Sequence, residues 1–162
     1  MGRIRAQTIK FIVIHHSAAN DAYSGAAALK AERQHRGEGY NFIVDDDQGP
    51  GNDGKYTAVQ DAPDNEISNG VYGVNSQAWN ICIDGNFEHQ QPTADELHAL
   101  VQVIATKARA WGWRKRDISR IVTHQYAGQY LSAERYGTAC PGRNVISRMA
   151  EIRQRVAAYL PG

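Results

Sequence analysis

The segment Phe11-Ile12-Val13-Ile14-His15-His16 indicates the class of fold, because an apolar, β-branched run ends there in two imidazole side chains. The segment from Ile9 to Ile14 suits a strand that is buried on both faces, as strands of parallel sheets are. Trp79 to Ile83 and Ile118 to Thr123 are apolar runs of the same kind. These three segments are therefore predicted to be strands.

Helical patterns alternate with these strands. Thr93 and Glu96 form a capping box, and apolar residues then recur at helical spacing as far as Trp111. A further helix is predicted from Ser24 to Arg36, with Ser24 as its N-cap. The apolar spacing from Val145 to Tyr159 predicts a C-terminal amphipathic helix.

Two shorter segments, Asn41 to Val44 and Lys55 to Val59, flank a loop rich in turn formers from Asp45 to Gly54. We expect them to pair as a hairpin with a long connection. Because strands and helices interleave, the sequence favours an α/β fold over an all-β or an all-helical one. The prediction is one domain over residues 1–162, with a central mixed β-sheet flanked by about three α-helices.

The charge balance excludes several classes of partner. The 162 residues include 18 Lys or Arg and 17 Asp or Glu, for a formal charge of +1. So small a charge argues against binding to nucleic acid or to an anionic membrane. The apolar stretch from Phe11 to Ile14 is far shorter than the ~7 to 15 residues that form the apolar region of a signal peptide. The sequence therefore predicts a protein that stays in the cytoplasm of the cell that makes it.

The two cysteines, Cys82 and Cys140, leave three uses open. They can form one bridge, remain thiols, or provide a metal ligand. Cys82 lies within an apolar strand and is interpreted as a packing residue.

Side chains able to do chemistry stand where predicted elements end. His15 and His16 end the first strand, His124 ends the third, and Cys140 precedes the last helix. Because strand ends of an α/β sheet share one rim, these groups are expected to lie near each other. Two imidazoles and a thiolate can bind zinc with a fourth position open for water. The alternative is that they are ordinary core and surface residues, and spacing alone leaves both interpretations open.

Five motifs occur in a fixed order along the chain. They are Phe11-Ile-Val-Ile-His15-His16-Ser17-Ala18; Gly39-Tyr40-Asn41-Phe42-Ile43-Val44; Asn75 ahead of Trp79-Asn-Ile-Cys-Ile-Asp-Gly85-Asn86-Phe87; Val122-Thr-His124; and Thr138-Ala-Cys140-Pro141-Gly142. This series resembles that of zinc-dependent N-acetylmuramoyl-L-alanine amidases, in the branch of amidase-type phage lysozymes and animal peptidoglycan recognition proteins. The resemblance covers about residues 9 to 155.

The resemblance implies a role for each matching residue. His15, His124 and Cys140 match the zinc ligands, and Tyr40 matches a tyrosine that lies beside the metal and is needed for hydrolysis. Thr138 stands where some members have lysine, and it is a candidate to hold the substrate or assist. The implied reaction is hydrolysis of the amide bond between N-acetylmuramic acid and L-alanine in peptidoglycan.

The resemblance also implies a biological setting. Without a recognisable signal peptide, the chain is expected to be a monomeric phage endolysin that waits in the host cytoplasm and acts on the cell wall after release. Its partner would be peptidoglycan or a muropeptide, with no nucleic acid and no membrane.

Three departures from the family pattern concern the walls of the substrate groove. The segment His35 to Gly39 is shorter than usual and lacks a tryptophan, and Gly70 stands where many relatives carry a groove histidine. The loop from Asp45 to Gly54 is longer than the usual turn. These departures affect fine specificity more than hydrolysis.

Three alternatives accompany the amidase hypothesis. A non-hydrolytic muropeptide-binding module would usually have lost the cysteine ligand. A cytosolic wall-recycling amidase would use aspartate in place of Cys140. A thiol hydrolase built on Cys140 and His124 would need no metal and would survive chelators.

Overall fold

A five-stranded mixed sheet forms the centre of the molecule. The computed structural model describes residues 3–18, 39–45 and 57–162. Their strands are β1 (Arg3–Ile4), β2 (Phe11–His16), β3 (Phe42–Asp45), β4 (Thr57–Gln60), β5 (Glu66–Ile67), β6 (Ala78–Ile83) and β7 (Ile121–Thr123). The sheet has the order β4-β3-β6-β2-β7, and β1 pairs with β5 apart from it. Among the described strands of this sheet, only the β3–β4 pair is antiparallel. The predicted α/β fold with a central mixed sheet is confirmed.

The helices among the described residues are mostly short. They are α1 (Ala94–Ala110), α2 (His124–Tyr126), α3 (Arg143–Ile146) and α4 (Met149–Ala157), with a 3-10 helix at Lys115–Arg120 and a π-helix at Ala127–Leu131. The predicted capping box of α1 is confirmed: Thr93 Oγ1 accepts from the Glu96 N–H at 3.1 Å, and Glu96 Oε1 accepts from the Thr93 N–H at 2.8 Å. None of these helices combines the length and apolar character that crossing a membrane requires.

The strand β2 lies between β6 and β7 and separates two buried layers. Ile12 and Ile14 face a large cluster that includes residues of α1 and α4. Val13, on the opposite face, packs in a smaller cluster with Val122 and Ala127. Successive side chains of β2 therefore point into different clusters of the core. The side chain of His15 lies on the same face of the sheet as that of Val13.

Two predictions about the C-terminal third were wrong in part. The strand predicted from Ile118 begins only at Ile121, because Lys115–Arg120 forms a 3-10 helix. Asp117 holds that turn, since its Oδ2 accepts from the Arg114 N–H at 2.9 Å. The single helix predicted from Val145 to Tyr159 is two helices, because the Arg148 N–H donates to the Val145 carbonyl three residues back. The apolar residues keep one face across this break, so their spacing alone did not reveal it.

The remaining predicted elements have mixed outcomes. The hairpin is confirmed as the antiparallel pair β3–β4, with Phe42 opposite Gln60. The helix predicted from Ser24 to Arg36 and the loop after Asp45 lie outside the described residues.

Asp64 joins the segment before β5 to the sheet and to α1. Its carboxylate accepts hydrogen bonds from Trp79 Nε1 at 2.8 Å, from Lys107 Nζ at 2.6 Å and from Gln60 Nε2 at 3.1 Å. Burial opposes ionisation of this carboxyl, but the hydrogen bonds from Lys107, Trp79 and Gln60 outweigh it and lower the pKa of Asp64. The folded protein therefore holds the ionised form more strongly than the unfolded chain does.

The substitution Asp64→Asn is expected to lower the free energy of unfolding by roughly 1 kcal/mol at neutral pH, because it removes a charged acceptor from a partly exposed site. A lowered pKa gives stability that is present above the ordinary aspartate range and is lost as the pH falls through the folded value. Urea unfolding at pH 7 and at pH 3 checks this: the difference between the two proteins should narrow in acid. An equal difference at both pH values would contradict the assigned electrostatic role.

Candidate metal centre

Two of the predicted ligands lie at the carboxyl ends of neighbouring parallel strands. His15 is next to the last residue of β2, and His124 follows β7 directly. The Thr123 side chain caps the turn by accepting from the Tyr126 N–H at 3.1 Å, so the chain leaves the sheet there and begins α2. The centroids of the two imidazole rings are 4.8 Å apart.

Cys140 comes to the same rim from a loop. Its carbonyl accepts from the Gln125 N–H at 2.9 Å, which ties the loop to the start of α2. Its Sγ accepts from the His16 N–H at 3.4 Å and lies 3.8 Å from His15 Nδ1. The thiolate is the form of cysteine that binds metals, so the sulfur is placed to act as a ligand.

The three side chains lie close enough together that they could hold a metal ion. One ligand atom from each of His15, His124 and Cys140 lies within 4.8 Å of the others. Tetrahedral zinc, with bonds of about 2.0 and 2.3 Å to nitrogen and sulfur, would hold such atoms about 3.3 to 3.5 Å apart. His15 is buried, while His124 and Cys140 are partly exposed. The donor set therefore fits zinc, with one side of the site facing the cleft.

Two imidazoles at this rim, those of His124 and His16, have lowered pKa values. Burial, and secondarily the proximity of His16, lower the pKa of His124 to about 4. Burial also lowers the pKa of His16, against the opposing effect of Glu88. A neutral imidazole is the form that coordinates a metal, so His124 is ready to act as a ligand at neutral pH.

Sequence reasoning missed Tyr136. Its hydroxyl oxygen lies 2.9 Å from His124 Nε2, and the two rings meet edge to face with their centroids 5.8 Å apart. Tyr136 belongs to no predicted element and to none of the quoted motifs, so only the folded loop shows its contact with His124.

The other two predicted site residues line the same cleft, which has a volume of about 440 Å³. Tyr40 is 8% exposed, and its ring centroid lies 5.1 Å from that of His15. Thr138 Oγ1 accepts from the Cys140 N–H at 3.2 Å, so it helps to shape the cysteine loop. The fold thus brings together all five residues that the sequence singled out.

Cys82 lies elsewhere. It is fully buried in β6 and packs with Tyr40 and Ile43. Neither Cys82 nor Cys140 forms a disulfide bond. The packing interpretation of Cys82 therefore agrees with its position, and the two cysteines are not joined by a bridge.

The two cysteines give a matched test of metal binding. Cys140→Ser is expected to weaken binding of Zn²⁺ by at least 10-fold, because it removes one of three ligands, whereas Cys82→Ser should leave it unchanged. Competition with a chromophoric chelator measures both affinities. Co²⁺ binding gives a second measurement, since a sulfur-to-cobalt absorption band should be lost only in Cys140→Ser. Equal affinity in Cys140→Ser and the parent protein would remove Cys140 from the ligand set.

The fold and the rim define a class of protein: an α/β domain with two histidines and a cysteine gathered at the carboxyl ends of its parallel strands. Comparison with known families makes this more specific. Residues 5–143 match the model of the Amidase_2 family, described as N-acetylmuramoyl-L-alanine amidase. The chain belongs to this family.

Solved structures show the same fold at low sequence identity. A mutant endolysin from Bacillus subtilis is 20% identical, with 96% of this chain and 90% of that chain covered and a TM-score of 0.69. The Ph2119 endolysin from the Thermus scotoductus bacteriophage Ph2119 is 23% identical, with 94% and 89% covered and a TM-score of 0.64. Drosophila PGRP-LB is 19% identical, with 93% and 84% covered and a TM-score of 0.65. A search of curated protein sequences gives no significant match.

Proposed function

We propose that this protein is a zinc-dependent N-acetylmuramoyl-L-alanine amidase, which cleaves the amide bond between N-acetylmuramic acid and L-alanine in peptidoglycan. The observation that carries the proposal is the set of three ligand atoms, from His15, His124 and Cys140, within 4.8 Å of one another in a cleft that these residues line. Membership of the amidase family supports the substrate class.

The residues of the cleft have complementary roles in this reaction. When bound, zinc would polarise the scissile carbonyl and lower the pKa of a coordinated water to about 7. The Tyr40 hydroxyl is a donor for the oxyanion that develops as the amide carbonyl is attacked. Thr138 still has a hydroxyl hydrogen to donate to the substrate, because its oxygen acts as the acceptor toward the Cys140 N–H.

The backbone holds Tyr40 firmly. Its N–H donates to Asp61 Oδ2 at 3.0 Å, and its carbonyl accepts from the Ala62 N–H at 2.9 Å. A group that is fixed before the substrate arrives loses little freedom during the reaction, which is what an oxyanion donor requires.

The biological role that we propose is that of a phage endolysin, which acts on the host cell wall after release and works as a monomer. Two of the solved structures compared above are named endolysins, which supports this role. The alternative, a muropeptide-binding module without activity, is favoured by the likeness to a peptidoglycan recognition protein complex solved with bound tracheal cytotoxin, at 20% identity and a TM-score of 0.61. The presence of Cys140 in the cluster favours the hydrolase.

Amide hydrolysis makes a specific prediction about products. Incubation with purified peptidoglycan should release new α-amino groups of L-alanine without new reducing sugar ends, because no glycosidic bond is cut. A chelator should abolish the release, and added Zn²⁺ should restore it. Release that persists in the metal-free protein would favour the thiol hydrolase, and binding without release would favour the recognition module.

Tyr40→Phe isolates the role of the hydroxyl, because the ring and its contact with His15 remain. The rate of amine release is expected to fall about 100-fold, the typical cost of losing one oxyanion donor, while Zn²⁺ stoichiometry stays the same. Single-turnover rates and metal analysis of the same preparation measure the two effects. A variant with full activity would exclude the tyrosine from the reaction.

A further inference from the structure

We propose that Asn80 is a positioning residue, which holds His15 in the tautomer that keeps its proton on Nε2 and the lone pair on Nδ1. The consequence for metal binding rests on the proposed function, but the tautomer itself does not. Neither the sequence motifs nor the family match assigns a role to Asn80.

The contact lies between adjacent parallel strands. Asn80 of β6 is opposite Val13 of β2, so its side chain is on the same face of the sheet as His15, two residues further along. His15 Nε2 lies 2.8 Å from Asn80 Oδ1, and the two residues are 1% and 0% exposed. Water does not compete for a contact buried so deeply.

The first argument for the orientation of the Asn80 amide comes from Asn75. The Val71 N–H can only donate, and it donates to Asn75 Oδ1 at 2.7 Å. The Asn80 atom that lies 3.3 Å from this same oxygen must therefore be a donor, which identifies it as Nδ2. The other amide atom of Asn80, the one that faces His15, is then the oxygen.

A second set of contacts gives the same answer independently. Asn41 Nδ2 donates to the Pro63 and Glu66 carbonyls, each at 3.1 Å, so Asn41 Oδ1 points the other way. That oxygen accepts from Ser68 Oγ at 2.9 Å, which uses the single hydroxyl hydrogen of Ser68. Ser68 Oγ must then accept from Asn80, whose Nδ2 lies 2.8 Å away.

These two series of hydrogen bonds determine the tautomer of His15. An amide oxygen offers only lone pairs, so the Nε2 that faces it must carry the hydrogen. In a neutral imidazole, the lone pair then belongs to Nδ1, the atom 3.8 Å from Cys140 Sγ. Backbone groups at residues 63, 66 and 71 thereby set which nitrogen of His15 is available to a metal.

Gly70 makes room for this arrangement. A Cβ at position 70 would lie 2.3 Å from Asn80 Cγ and 2.4 Å from Asn80 Oδ1. No side chain at residue 70 fits while Asn80 keeps its contact with His15. Gly70, which stands where many relatives carry a groove histidine, therefore leaves the space that the Asn80 side chain occupies.

The tautomer can be measured without metal. In the metal-free protein, long-range ¹H–¹⁵N correlation spectra of the imidazoles should show His15 with a protonated Nε2 and a bare Nδ1. Asn80→Ala removes the acceptor oxygen and should convert at least part of His15 to the Nδ1–H form. Val13→Ala is the matched control, because it also truncates a buried side chain on this face without touching the hydrogen bonds. An Nδ1–H tautomer in the parent protein, or no change in Asn80→Ala, would overturn the proposal.

Metal affinity provides a readout that does not require Asn80→Ala to fold well. Gly70→Ala should displace the Asn80 side chain and weaken Zn²⁺ binding by about 10- to 100-fold, the usual effect of losing a partner of a metal-bound histidine. In an Asn80→Ala background, the same change should cost far less, because the three atoms nearest to the added Cβ are gone. Additive losses in the double variant would contradict the proposal. If the parent protein binds no Zn²⁺ at all, the proposed function fails, while the tautomer measurement still decides this inference.

Discussion

The parallel pairing of β2 with β6 and β7 determines where the side chains of the candidate metal centre lie. Because both neighbours run in the same direction as β2, the carboxyl ends of the three strands meet at one rim. Apolar residues cover both faces of β2, so a shift by one residue would move His15 to the face of Ile14. Burial of the apolar run therefore also fixes the position of a polar group.

The polar side chains behind this rim are buried but are satisfied by one another. Asn41, Ser68 and Asn80 lie at 0%, 3% and 0% exposure and are joined in one hydrogen-bonded network. A buried amide without partners would cost several kcal/mol, so such a network is stable only when it is complete. Because every donor and acceptor in the network has a partner, the direction of each hydrogen bond in it is determined. The packing of the sheet thereby sets which nitrogen of His15 carries the proton.

The sequence predicted the parts of the fold and site that depend on local pattern. The strand β2 and the capping box of α1 were recognisable because a few adjacent residues determine each of them. The end of β7 was predicted correctly but its start was not, since Asp117 forms a local turn that apolar spacing does not reveal. Asn80 was part of a quoted motif and still had no assigned role, because its partners come from segments far away in the chain. Tyr136 was missed for the same reason.

The ligands of the candidate metal centre differ in how they are held. Two come from the rim of the sheet, but Cys140 comes from a loop whose path depends on Gly142. That glycine has a φ of +92°, and a Cβ there would lie 2.5 Å from the backbone carbon of Phe87. The Asn144 N–H also donates to the Phe87 carbonyl at 3.0 Å, so the loop is held against the segment that follows β6.

The strand β6 and the segment after it therefore both position ligands of the candidate metal centre. Asn80 of β6 orients the imidazole of His15, and Phe87 supports the loop that carries the thiol of Cys140. A binding site assembled this way is organised before any ion arrives, because its geometry follows from backbone contacts rather than from the ligand atoms alone.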